Sequence, residues 1–123
     1  MNLARLNALA SPVVAATQAA LPPSIRVLAV TVPVYFEALP SEDIMEDGFE
    51  PDILGLFSGR AHGDDPGGDN LLPPRISLYL ENLWDYARGD IQTFKDEVRL
   101  TYLHELGHFL GWDEDDVAAR GLD

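Results

Sequence analysis

The segment from Ile91 to Leu110, IQTFKDEVRLTYLHELGHFL, constrains the fold more than any other part of the chain. Ile91, Phe94, Val98 and Tyr102 recur at helical spacing, and Leu100, Leu103, Gly107 and Leu110 form a second stripe. Two apolar stripes on one helix mean burial around most of its circumference in its second half. The rest of the chain therefore has to wrap this helix. Asp90 precedes it as an N-cap, and Gly111 follows as the residue able to take the left-handed conformation that stops a helix.

Within this helix, His104 and His108 stand four residues apart, so both imidazoles project from one face, one turn apart. Two ring nitrogens so placed can reach one cation. Glu105 follows the first histidine directly, completing a HExxH pattern in which the glutamate is the group that deprotonates a metal-activated water rather than a ligand. A catalytic zinc needs a third protein ligand and one open position. The chain has no cysteine, and the candidates for that ligand are His62 and the acidic run Asp113 to Asp116. Glu114 lies ten positions after His104, at the third-ligand place of the extended pattern HExxHxxGxxH, with carboxylate in place of imidazole. The opposing reading has both histidines as core residues and the acidic run as a solvated tail. Glu105 would then be a carboxylate in a buried helix in need of a partner.

With 123 residues the chain is read as one domain, 1–123, in which residues 1–10 form a turn or a flexible arm. Its formal net charge is −13, which repels a phosphate backbone and speaks against nucleic acid as a partner. Nothing in the sequence approaches a membrane span. The N-terminal stretch is alanine-rich, but Asn7, Ser11, Pro12, Thr17 and Gln18 interrupt it, so it reads as a helix rather than as a leader. The expected setting is cytoplasmic.

Ser11 and Pro12 read as an N-cap and first-turn proline of a short helix from Val13 to Leu21. The β-branched run Ile25 to Val34 reads as a strand covered on both faces. Ile53 to Phe57 reads as a second strand, in which Gly55 signals a bulge or a close backbone approach. Ser58 to Pro74 is a long loop, and Ile76 to Leu80 is a third strand with alternating faces. Asn82 to Arg88 reads as a short helical turn.

Four blocks, ALPPSIRVLAVTV, DILGLFSG, RISLYLENL and TYLHELGHFLGWDEDD, carry a resemblance to a zincin-like family of short bacterial proteins regarded as zinc metallopeptidases. That resemblance, which spans Val13 to Asp116, implies an α+β fold. It is a minimal zincin-like arrangement, with a small twisted mixed sheet of about three to four strands packed on an N-terminal helix and a buried active-site helix. It further implies one Zn2+ per chain held by His104, His108 and Glu114, with Glu105 as general base in the hydrolysis of a peptide or protein substrate. The segment Ile76 to Leu80 would be the exposed edge strand that aligns the substrate. Tyr35, Tyr79, Tyr86 and Tyr102 are the candidates for stabilising the oxyanion. Two features depart from the family pattern. Glu stands at a place often held by Asp, with Asp113 and Asp115 beside it, and no methionine follows the motif to form the turn found beneath the metal in larger zincins. The rival functions are a non-catalytic zinc-binding domain serving a protein interaction, and a metal-free interaction module with an acidic face.

Overall fold

The computed structural model describes residues 1–63 and 72–112. Among these residues five helices and three strands follow in the order α1 (Leu3–Ala19), α2 (Pro23–Ala29), β1 (Val34–Glu37), α3 (Glu42–Glu46), β2 (Gly55–Ser58), β3 (Arg75–Tyr79), α4 (Leu80–Tyr86) and α5 (Ile91–Phe109). The sheet is mixed, in the order β1-β3-β2, with β1 parallel and β2 antiparallel to β3. One face of the sheet rests on α5, which packs in turn against α1 and α4. This is the α+β arrangement expected from the sequence. Among the described residues no helix is long and apolar enough to cross a membrane.

Helix α5 begins and ends where its sequence signals place it. The Asp90 carboxylate accepts from the Thr93 N–H at 2.8 Å and from its hydroxyl at 2.7 Å. Both bonds favour the charged form, so the Asp90 pKa is lowered from its ordinary 3.8. At the other end Gly111 takes φ 78°, its N–H donating to His108 O at 3.0 Å, and Trp112 N–H donates to Gly107 O at 2.9 Å. This pair of reversed bonds is the Schellman ending that a glycine permits. The last helical carbonyl, that of Phe109, accepts from the His62 N–H at 2.7 Å. The loop after β2 is thereby tied to the end of the helix.

Helix α1 starts well before the expected position. Its N-cap is Asn2, whose side chain accepts from Arg5 N–H, and Pro12 lies inside it. Leu6, Ala10, Val14 and Thr17 form one buried stripe that runs straight through the proline. Pro12 removes one helical bond, but Pro12 and Ala8 are both on the exposed side, where water can serve the carbonyl left over. The first ten residues are therefore mostly helical, and Leu6 is fully buried.

The strand expected from Ile25 to Val34 is replaced by α2 and a turn, and β1 starts only at Val34. Pro22 and Pro23 explain the change, because a proline at the first helical position is pre-set for helix. A short apolar run cannot be told apart by periodicity alone. Val27 and Val30 are more than 60% exposed, at 65% and 61%, so the run is not covered on both faces.

Strand β3 is the central strand and not an edge. Its pairs Val34↔Ile76 to Glu37↔Tyr79 on one side and Gly55↔Leu78 to Ser58↔Arg75 on the other use both of its margins. Both of its faces are buried, Ser77 and Tyr79 included, and on the side of these two Arg75 lies over Tyr35 at 4.0 Å and pairs with Glu37 at 3.2 Å. Among the described residues the edges are β1 and β2.

Two measurements check this packing. Leu6→Ala is expected to lower unfolding free energy by about 2–5 kcal/mol in a denaturant titration, as for a core leucine and unlike one in an arm. Asp90→Ala is expected to lower the melting temperature at neutral pH. Because the folded pKa is depressed, the Asp90 contribution is present above the unfolded value and lost as pH falls through the folded one, so the variant should also show a shallower acid limb.

Candidate active site

The spacing of α5 puts His104 and His108 on one face, and their Nε2 atoms lie 3.1 Å apart, with rings nearly perpendicular at 85°. Two nitrogens bound to one tetrahedral zinc at about 2.0–2.1 Å would stand roughly 3.3 Å apart, close to this arrangement. Both histidines are partly exposed. They can hold a cation that solvent can reach.

Glu105 points toward the sheet and is buried, with 8% of its surface exposed. Its Oε1 accepts a hydrogen bond from the Phe57 main-chain N–H at 3.1 Å. The register explains why this donor is available. Tyr79 N–H donates to Leu54 O, so Leu54, Leu56 and Ser58 direct their main-chain groups toward β3, while Gly55 and Phe57 direct theirs outward. A buried carboxylate thus meets a donor from the sheet edge.

An open cleft of about 390 Å³ runs along this edge, lined by Ile53, Leu54, Gly55, Leu100, Thr101, His104 and Glu105. Its walls are mostly apolar, and its polar side chains are those of Thr101, His104 and Glu105. Gly55 reads in the sequence as a bulge or a close backbone approach, and it makes the second here, against Thr101 of α5. Phe57 was not legible as a functional residue, because its contribution is a main-chain N–H whose direction depends on register.

His62 is exposed, and its ring lies 6.0 Å from that of Phe109. Among the described residues no three His, Asp or Glu converge on a metal position, so His62 is not brought to His104 and His108. Glu114, Asp113 and Asp115 lie outside the described residues.

None of the four tyrosines lines the cleft. Tyr35 lies under Arg75 on the far face of the sheet, and Tyr86 is exposed. Tyr79 is buried, and its pKa is raised chiefly by that burial and secondarily by Glu37. Tyr102 is buried between α5 and α1, where its oxygen accepts from Gln18 Nε2 at 3.0 Å; burial raises its pKa, and the Gln18 bond partly opposes this.

The class defined by this fold and motif is a small α+β domain whose longest helix carries HExxH beneath a sheet edge. The family model of zincin-like metallopeptidases matches residues 29–122, most of the chain, and the protein belongs to that family. Membership implies zinc as the metal. No curated protein matches the chain.

The placement of Tyr102 predicts that Tyr102→Phe lowers stability by about 1 kcal/mol, the value of one hydrogen bond, and leaves zinc uptake unchanged. Chemical denaturation beside a zinc titration reads both quantities.

Proposed function

We propose that the protein is a zinc-dependent peptidase in which His104, His108 and Glu114 hold one zinc per chain and Glu105 is the general base. The convergence of the two Nε2 atoms beside a buried carboxylate, on the wall of an open cleft, carries this reading. The donor set suits the ion. Imidazole and carboxylate are the ligands zinc takes where thiolate is absent, and three of them leave one position open. When bound, zinc supplies a Lewis acid that polarises a carbonyl and acidifies water.

Glu105 takes the proton from the attacking water and later delivers it to the leaving amine. A purely structural site would have no use for a carboxylate at this position. The bond from Phe57 N–H to Oε1 holds the side chain in one orientation while it does so. The substrate is a peptide or protein, and the edge it pairs with is β2 rather than the central β3. The outward main-chain groups of Gly55 offer an extended peptide a point of pairing in the cleft that His104 and Glu105 also line. Apolar lining from Ile53, Leu54 and Leu100 suits an apolar side chain beside the scissile bond. Negative charge disfavours nucleic acid as a partner. The cysteine-free composition is compatible with the cytoplasm as the place of action.

Glu105→Gln is expected to retain zinc and to lower hydrolysis of a peptide library by about 10²–10⁴-fold, read by mass spectrometry of the products. Turnover equal to that of the wild type would remove Glu105 from the role. Failure of the zinc-loaded wild type to hydrolyse any peptide would leave a zinc-binding domain that serves an interaction.

A further inference from the structure

Thr101, Glu105 and Phe109 are spaced four apart on α5 and form one stripe facing β2. On β2, Gly55 and Phe57 share the face that meets this stripe. Thr101 lies against Gly55, and the rings of Phe109 and Phe57 meet edge-on at 5.9 Å. Glu105 stands between these two contacts and takes the Phe57 N–H. The distance between strand and helix is therefore fixed on either side of the carboxylate.

Gly55 is what permits that distance. A Cβ at this position would lie 2.7 Å from Thr101 Cγ2, 3.1 Å from Ser77 O and 3.3 Å from Leu78 Cδ2. Carbon atoms in good contact stay about 3.5–4.0 Å apart, so either the strand would lift or Thr101 would move. The φ of Gly55 is not in the left-handed range, so backbone freedom does not require glycine here. Glycine also weakens a strand, by roughly 0.5–1 kcal/mol relative to alanine. The absence of a side chain is the property that is used.

We propose that Gly55 is a positioning residue for Glu105: by letting β2 lie directly against α5, it brings the Phe57 main-chain N–H onto Oε1. This rests on the reading of Glu105 as the general base. A main-chain donor in a paired strand cannot rotate away, so it orients the carboxylate more firmly than a side chain would. A displacement of about 1 Å at such a group can cost on the order of a hundredfold in rate.

The test uses the full zinc-loaded chain and two readouts, peptide turnover and the NMR signal and exchange rate of the Phe57 amide. Gly55→Ala is expected to lower kcat/KM by roughly tenfold to a hundredfold, to shift the Phe57 amide proton upfield and to speed its exchange. Adding Thr101→Ser, which removes the methyl group nearest the new Cβ, is expected to recover most of both changes. Wild-type turnover with an unmoved amide in Gly55→Ala would overturn the proposal, as would lost turnover without any movement of the amide. Should Gly55→Ala fail to fold, Phe57→Pro beside Phe57→Ala decides the question. Both variants lose the ring, but only proline loses the N–H, and proline is tolerated on an edge where that N–H points away from the ladder. Lower turnover for proline than for alanine upholds the proposal, and equal turnover overturns it. If the wild type hydrolyses nothing, the reading of the base fails separately, and the amide signal alone still upholds or overturns the contact.

Discussion

A carboxylate buried between a helix and a sheet has to find a hydrogen-bond donor or lose its charge. In this protein the carboxylate is Glu105, and one donor to it is the Phe57 N–H at 3.1 Å. Much of the structure can be read from that contact. Phe57 has an outward N–H because β2 is an edge strand in a definite register with β3. The strand sits close enough because Gly55 has no side chain to hold it off Thr101. The helix holds its position because its end is closed by a Schellman turn and by the His62 N–H on the Phe109 carbonyl. The histidines then lie on the neighbouring, partly exposed face of the same helix.

This division of α5 into faces lets a small chain combine a core with a site. Phe94, Val98, Tyr102 and Leu106 are buried against the other helices and the sheet. Thr101, Glu105 and Phe109 meet β2, and His104 and His108 open toward solvent. One helix is core and cleft wall at once, and it carries the two histidines. Its apolar stripes are accordingly wider than those of a surface helix.

That helix was the most legible part of the sequence. Asp90, Gly111 and the two stripes state its ends and its burial, and the HExxH spacing places His104 and His108 on one face. Strands β2 and β3 were legible to within a residue or two, and Gly55 announced either a bulge or a close approach, of which the structure shows the second. Elsewhere, signals of similar strength competed. The run IRVLAVTV has strand composition, yet Pro22 and Pro23 begin a helix, and exposure of Val27 and Val30 shows that the run was never sandwiched. Pro12 resembled a helix start, but burial of Leu6 and Ala10 carries the helix through it. The identity of the edge strand could not be read at all. Alternation in RISLYL reports two different faces, whereas an edge is defined by which neighbours are absent, and that is a property of the whole sheet. The Phe57 donor was hidden for the same reason.

Zinc content tests the central claim most directly. It can be measured by inductively coupled plasma mass spectrometry on untagged protein, comparing wild type with His108→Ala and Glu114→Ala. The account predicts one zinc per wild-type chain, no retained zinc in His108→Ala and weakened retention in Glu114→Ala. A wild-type protein that holds no zinc after dialysis against it would contradict the account, because His104 and His108 would then be packing residues. Full retention in Glu114→Ala would contradict the assignment of the third ligand.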